Sequence, residues 1–61
     1  MTLLRLPEVM ARTALSRSAI YDLMGEGRFP RPAKIGGRIN AWSENEIADW
    51  ISDRLAEREA A

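Results

Sequence analysis

Hydroxyl and cationic side chains are concentrated in two stretches of the chain whose composition suits recognition of a polyanion. The first stretch combines three hydroxyl groups with an arginine and an aspartate: Ser16, Arg17, Ser18, Tyr21 and Asp22. The second places two cations around a pair of glycines: Lys34, Gly36, Gly37 and Arg38. Guanidinium, ammonium and hydroxyl groups donate hydrogen bonds to phosphates, and an arginine pairs with a guanine edge through two bonds. These residue types favour binding of nucleic acid over catalysis.

The residue types on which most enzymes and metal sites depend are missing from the sequence. It contains no cysteine and no histidine, and therefore lacks thiol nucleophiles, the commonest general base and the commonest metal ligand. Its carboxylates cluster only on one amphipathic segment. We expect no enzymatic activity, no metal and no cofactor. There is also no apolar run of about 18 residues and no signal-peptide pattern, so we expect a cytoplasmic protein without a membrane partner.

The first stretch begins a short predicted helix. Ser16 suits the N-cap because its hydroxyl accepts a bond from a free backbone N–H, and Gly27 suits the left-handed conformation that ends a helix. Helical spacing places Ile20, Leu23 and Met24 on one side and leaves the polar residues on the other. One side therefore faces a core, and the other is available for reading DNA.

A second helix is predicted just before this one. Leu6-Pro7-Glu8 has the signals of a helix start, since proline suits the first helical position and an acidic residue complements the helix dipole. About three residues then connect it to the helix at Ser16. Residues 6–27 thus form a predicted helix-turn-helix, whose second helix enters the DNA major groove. An ordinary amphipathic surface helix is the alternative interpretation.

A β-hairpin is predicted to follow, after an extended connection that contains Phe29, Pro30 and Pro32. The glycine pair supplies the positive φ angles of the turn. A three-residue loop, residues 36–38, is favoured over a two-residue loop because it separates apolar from polar side chains. It places Ala33, Ile35, Ile39 and Ala41 on one face and Lys34 and Asn40 on the other. Residues 32–42 are thus predicted to form a wing, with a plain solvated hairpin as the alternative.

The last predicted helix covers residues 43–58. Ser43 and Glu46 have the spacing of a capping box. An apolar stripe follows at helical intervals: Ile47, Trp50, Ile51 and Leu55. The opposite side carries an acidic row, Asp49, Asp53 and Glu57, which we interpret as a solvated face in preference to a partner-binding one.

Charge is divided along the sequence, although the formal net charge of the 61 residues is zero. Residues 1–42 carry seven basic and three acidic groups, a net charge of +4. Residues 43–61 carry two basic and six acidic groups, a net charge of −4. The length predicts a single domain, residues 1–61, whose first two-thirds face a polyanion while the last third faces water or another protein.

A set of short motifs occurs in a characteristic order over about residues 3–55. They are Leu6-Pro7-Glu8-Val9, Leu15-Ser16-Arg17-Ser18 with Ile20-Tyr21, Gly27-Arg28-Phe29-Pro30-Arg31-Pro32, Lys34-Ile35-Gly36, Arg38, Trp42, and Glu46-Ile47 with Trp50-Ile51. Their order and spacing resemble the AlpA family of prophage regulators, relatives of the excisionases and of the MerR-type DNA-binding domain. The resemblance implies a winged helix-turn-helix, mainly α with a small β-hairpin. It also implies binding to double-stranded DNA near phage or integrated-element genes.

Family members activate or repress transcription, commonly of an integrase, or bind attachment-site DNA and favour excision. By position, the resemblance implies DNA contacts on the second helix from Ser16, Arg17, Ser18, Tyr21 and Asp22. On the wing and its flank it implies contacts from Arg28, Arg31, Lys34, Gly36, Gly37 and Arg38. Ala14 departs from the family, which often has glycine there; a positive φ would cost alanine on the order of 1 kcal/mol.

Three partners are expected from the resemblance and the charge distribution. The first is double-stranded DNA, which the protein would bind in the nucleoid. Further copies of the chain on adjacent sites, with the acidic helix of one facing the basic wing of the next, are the second. An integrase or other recombinase is the third. An alternative of another class is a protein-interaction module that docks a recombinase or polymerase through the acidic helix.

Overall fold

The computed structural model describes the backbone of residues 2–60 and the side chains of residues 2–58; Met1 and Ala61, the ends of the predicted domain, lie outside the described residues. Six elements follow in order: β1 (Leu3–Leu4), α1 (Leu6–Thr13), α2 (Arg17–Gly25), β2 (Ala33–Ile35), β3 (Ile39–Ser43) and α3 (Glu44–Ala60). The strands form an antiparallel sheet in the order β1-β3-β2. This arrangement of three helices and a hairpin confirms the predicted fold class, a winged helix-turn-helix.

Strand β1 adds a third strand to the predicted hairpin. Leu3 pairs with Ser43 and Leu4 with Trp42, and the N–H of Glu44 donates to the carbonyl of Thr2 at 3.0 Å. The Leu4 side chain is fully buried. Two residues are too few to show a strand period, so this strand is not predictable from the sequence alone.

Helix α1 begins with Pro7 in its first turn, as predicted, and the N–H of Arg5 donates to the Glu8 carboxylate at 3.4 Å. It ends at Ala14, which has φ 60° and ψ 20° and whose N–H donates to the carbonyl of Met10 at 2.9 Å. The Thr13 hydroxyl accepts from the N–H of Leu15 at 3.3 Å. Ala14, in the turn between α1 and α2, therefore has the positive φ that is costly for an alanine.

The core takes one side chain from each helix, from β1, from β3 and from the connection between α2 and β2, and none from β2: Leu4, Val9, Ile20, Phe29, Trp42 and Ile47. Two indoles also hold the connection between α2 and β2. Trp42 Nε1 donates to the carbonyl of Pro30 at 3.0 Å, and Trp50 Nε1 donates to the carbonyl of Arg28 at 2.9 Å. Phe29 packs edge-to-face on Trp50, with ring centroids 4.8 Å apart. Phe29 is buried, and this packing fixes the start of the wing.

The hairpin has the register that the three-residue loop predicts. Ala33 pairs with Ala41, Lys34 with Asn40, and Ile35 with Ile39. Gly36 and Gly37 have φ angles of 64° and 81°, so the glycines supply the left-handed conformations of the turn. Side chains alternate across the sheet, and the hairpin consequently has one polar and one apolar face.

Helix α3 is capped by the Ser43 hydroxyl, which accepts from the N–H of Glu46 at 3.3 Å. Ile47 is buried, and Trp50 and Ile51 pack against the core. The predicted apolar stripe stops there, because Leu55 is 48% exposed. The expectation that Leu55 belongs to the packed stripe is wrong: the last turns of α3 run past the core.

Candidate nucleic-acid interface

The start of α2 is fixed by Ser16, as its sequence position predicts. Its backbone is extended, and its hydroxyl oxygen accepts from the N–H of Ala19 at 3.2 Å. The cap occupies an acceptor site of the hydroxyl and leaves its proton free to donate. Ser16 is exposed. It therefore stabilises the helix and presents a hydrogen-bond donor at its N-terminal end, where the helix dipole also attracts anions.

The end of α2 is fixed by Gly27, which has φ 73°. The N–H of Gly27 donates to the carbonyl of Met24 at 3.0 Å, and the N–H of Arg28 donates to that of Leu23 at 2.9 Å. This pair of bonds is the Schellman arrangement that terminates helices. Gly27 ends the helix as predicted, and the chain turns from there toward the wing.

The exposed side of α2 carries the predicted recognition residues. Arg17, Ser18, Tyr21 and Asp22 are all exposed, whereas Ile20 on the opposite side is fully buried. The Arg17 guanidinium carbon lies 5.7 Å from the centroid of the Tyr21 ring. This cation–π contact restricts Arg17 to positions beside the ring and thereby reduces the conformational freedom it would lose on binding.

A groove of about 390 Å³ separates α2 from the wing. Its walls come from both elements: Tyr21, Met24 and Gly25 on one side, and Arg31, Pro32, Lys34 and Asn40 on the other. The fold thus brings the hydroxyl of Tyr21 on α2 to the same groove as the guanidinium of Arg31 and the ammonium of Lys34, which lie ten or more residues later in the chain. A groove with donors on both walls suits a chain of phosphates.

The remaining predicted residues lie outside this groove. Gly36, Gly37 and Arg38 form the exposed tip of the wing. Arg28 is at the end of α2, where its side chain pairs with Glu26 at 3.4 Å and its carbonyl holds Trp50. Arg28 is therefore a flanking residue that the structure does not bring to the groove.

Met24, Gly25, Pro32 and Asn40 line the groove although they were not predicted as site residues. For Asn40 a signal was present, because the predicted register places it beside Lys34. The Asn40 side-chain oxygen is buried, and no described residue donates a hydrogen bond to it. An acceptor without a partner next to Tyr21 and Lys34 is available to orient either donor.

Three of the nine cations of the sequence are paired with carboxylates. Arg12, Arg28 and Arg54 form ion pairs with Glu44, Glu26 and Glu57 at 2.9, 3.4 and 2.9 Å. The other six cations form no ion pair with any carboxylate whose side chain is described: Arg5, Arg17, Arg31, Lys34, Arg38 and Arg58. Four of these six, Arg17, Arg31, Lys34 and Arg38, are predicted contact residues, and their positive charge is available to an external anion.

No helix among residues 2–60 is long and apolar enough to cross a bilayer. The side chains of residues 2–58 include no group of three or more carboxylates placed to hold a metal ion. The groove between α2 and the wing, with the exposed side of α2, remains the candidate site.

Comparison with known proteins gives the chain a family. The sequence profile of the family described as "Prophage CP4-57 regulatory protein (AlpA)" matches residues 2–55. An uncharacterized protein of Enterobacteria phage P4, ORF88, is 46% identical over 55 residues, which cover 90% of this chain and 62% of that protein. The DNA-binding transcriptional activator AlpA of Escherichia coli (strain K12) is 34% identical over 58 residues, covering 85% of this chain and 83% of that protein. This chain therefore spans less than two thirds of the phage P4 protein. No solved structure matches the chain.

Proposed function

Because the chain belongs to the AlpA family of prophage regulatory proteins, we propose that it binds specific sites on double-stranded DNA and regulates transcription there. Its targets are genes of a prophage or integrative element, such as an integrase gene. Its place of action is the nucleoid of a bacterial cytoplasm. The observation that carries the proposal is the groove between α2 and the wing, where Tyr21 of α2 lies opposite two unpaired cations, Arg31 and Lys34.

In this proposal α2 enters the major groove with its N-terminal end first. Arg17 donates two bonds to the O6 and N7 atoms of a guanine, and Ser18 donates to a base or phosphate. Asp22 accepts from the amino group of a cytosine. The cation–π contact of Arg17 supports this assignment because it holds the guanidinium beside Tyr21 before DNA arrives.

The groove between α2 and the wing receives the sugar–phosphate backbone that borders the major groove. Tyr21, Arg31 and Lys34 are the donors, and Ser16 contacts the adjacent phosphate at the helix start. At the wing tip, Gly36 and Gly37 lack side chains, so a phosphate can approach their N–H groups closely, while Arg38 reaches the neighbouring backbone or minor groove. These contacts position the protein, and the contacts of α2 supply specificity.

The number of these contacts sets the expected affinity. A single copy with about four to six phosphate contacts binds weakly and loses affinity steeply as salt rises. Occupancy of adjacent sites by several copies compensates for weak single-copy binding. Contact with an integrase at such sites is a further part of the proposal.

The test is fluorescence anisotropy with labelled duplexes tiled across the gene for this chain, any adjacent integrase gene and the attachment site. A scrambled duplex and two salt concentrations complete the design. We expect one tile to bind at least about a hundredfold more tightly than scrambled DNA, and both to weaken with salt. Equal binding to every tile and to scrambled DNA would refute sequence-specific regulation.

Single substitutions make the test residue-specific. Arg17→Ala is expected to reduce specific affinity by about 1–3 kcal/mol and to bring the best tile closer to scrambled DNA. Arg58→Ala is the matched control, because it removes the same charge from an exposed site on α3. A loss of specificity in both variants would show that total charge, rather than the position of Arg17, determines binding.

Two other functions are compatible with the same surfaces. An excisionase uses identical DNA contacts at an attachment site, so the location of the tightest tile distinguishes it from a promoter regulator. A protein-interaction module is favoured by the exposed acidic row of α3, Asp49, Asp53 and Glu57. That module would keep its function in Arg17→Ala and Arg38→Ala variants, whereas the DNA-binding regulator would lose it.

A further inference from the structure

The sheet has an apolar face that is largely exposed, although Ala41 in its middle is buried. Strand pairing and side-chain alternation place Leu3, Ala33, Ile35, Ile39, Ala41 and Ser43 on one side, here called the outer sheet face. Lys34 and Asn40 lie on the opposite side, toward α2. Leu3, Ile35 and Ile39 are 45%, 44% and 42% exposed. Three large apolar side chains on one face of so small a sheet are more typical of a contact surface than of scattered exposure.

The outer sheet face adjoins a hollow of about 550 Å³ beside the start of α3. Its lining includes Leu3, Ala33 and Ala41 of the sheet, together with one cation, Arg31, and one carboxylate, Glu46. Arg31 and Pro32 line both the hollow and the groove that we assign to DNA, so the two cavities share one edge. The rest of the outer sheet face lies on the side of the strands opposite Lys34 and Asn40, and it stays accessible while those two residues face DNA.

A second exposed apolar residue lies on α3. Leu55 is 48% exposed, beyond the point where the helix leaves the core. At 100° per residue, Leu55, Ser52, Ala56 and Asp49 follow one another around the exposed half of the helix. This surface, here called the outer face of α3, presents a leucine on one flank, small residues in the middle and a carboxylate on the other flank.

The distribution of charge favours contact between the outer face of α3 and the outer sheet face over contact between two outer sheet faces. Two outer sheet faces in contact would bring two basic wings together, whereas the outer face of α3 belongs to the segment with net charge −4 and the wing to the segment with net charge +4. The whole chain has no net charge, so no overall repulsion opposes association of two copies. We propose that the outer face of α3 of one copy docks on the outer sheet face of the next copy.

This contact is head-to-tail, so each copy keeps one free surface of each kind and the contact can repeat. The inference deepens the proposed function, on which it rests, by identifying the partner as a second copy of this chain on adjacent DNA. The apolar area is far below the roughly 1,600 Å² of a stable interface, which predicts a weak contact in free solution. Neighbouring sites on one duplex raise the effective concentration to about the millimolar range, where such a contact becomes populated.

The test uses the fact that the chain contains no cysteine. Two proteins, Ile39→Cys and Leu55→Cys, are mixed in equal amounts at high concentration without DNA. Disulfides are then formed in a thiol–disulfide redox buffer, so that the pairs can exchange partners. Random collision would make about half of the disulfide-linked pairs mixed. We expect mixed pairs to exceed that fraction clearly. A mixture of Ser18→Cys with Leu55→Cys is the matched control, because Ser18 is exposed on α2 and outside the proposed contact.

Charge reversal completes the test. Asp49→Lys with Asp53→Lys, introduced into the Leu55→Cys protein, is expected to return the mixed fraction to the random value. A random fraction without charge reversal, or a majority of Ile39→Cys pairs with themselves, would overturn the head-to-tail contact. Anisotropy on the Ile39→Cys and Leu55→Cys proteins measures DNA binding separately. If the proteins bind DNA but their disulfide pairing is random, only the head-to-tail contact is refuted. If mixed pairs exceed the random fraction but the proteins do not bind DNA, only the proposed function is refuted.

Discussion

The left-handed residue Ala14 gives the sharpest prediction about stability. Its φ of 60° and ψ of 20° place its Cβ close to a backbone oxygen, which costs an alanine roughly 1–2 kcal/mol. Glycine has no Cβ and adopts this conformation freely, but its more flexible unfolded chain cancels about 0.4–1 kcal/mol of the gain. Because Ala14 is exposed, removing its methyl group sacrifices little packing. Ala14→Gly should therefore raise the free energy of unfolding by about 0.5–1 kcal/mol.

For a domain of this size, that increment corresponds to a rise of roughly 2–8 °C in the midpoint of thermal unfolding. The assay is urea and thermal unfolding followed by tryptophan fluorescence, since Trp42 is fully buried and reports the core. Two substitutions isolate the effect of backbone conformation. Ala11→Gly changes the same residue type at an exposed position within α1 and should destabilise by about 1 kcal/mol.

The second substitution is Gly27→Ala, the reverse change at a residue with φ 73°. No atom lies within 4 Å of the Cβ that alanine would add, so any destabilisation comes from the backbone and should again be about 1 kcal/mol. The reasoning fails if Ala14→Gly is no more stable than the native chain while Ala11→Gly and Gly27→Ala behave as expected. That combination would mean that the turn relaxes without strain when it carries alanine.

Three further predictions concern single contacts. Trp50→Phe removes the donor to the Arg28 carbonyl and should lower the free energy of unfolding by about 1–3 kcal/mol in urea titrations. Glu44→Gln breaks the 2.9 Å ion pair with Arg12; since both side chains are partly exposed, the loss should stay below about 1 kcal/mol and shrink further in high salt. Lys34→Ala should weaken binding to all duplexes about equally and reduce the slope of log affinity against log salt by about 1, as measured by anisotropy at several salt concentrations.

The elements of the fold that could be predicted from sequence are those governed by local rules. Ser16 and Gly27 bound α2 because capping depends on a few adjacent backbone groups. The hairpin register followed from the alternation of Ile35 and Ile39 with polar neighbours. Each of these signals is complete within a few residues, so no knowledge of the tertiary structure was needed.

The features that could not be predicted depend on distant contacts. Strand β1 is two residues long, and its pairing with β3 joins positions about forty residues apart. Leu55 continues the helical period of the apolar stripe, yet the core ends before it, and sequence period alone carries no information about where a core ends. The groove likewise exists only because the fold brings α2 and the wing together, so Gly25 and Asn40 became site residues through packing.

The pairing register of β2 and β3 determines which side chains lie on each of the two proposed contact surfaces of the wing. With Lys34 opposite Asn40, the polar side chains face α2 and the groove, while Ile35 and Ile39 form the outer sheet face. A slip of one residue would exchange the two faces, exposing Lys34 away from DNA and turning isoleucine toward phosphates. The left-handed conformations of Gly36 and Gly37 oppose such a slip because they define a three-residue loop. Gly36 and Gly37 thus help to position both contact surfaces through their backbone conformation. This structural role is separate from their proposed contact with phosphate.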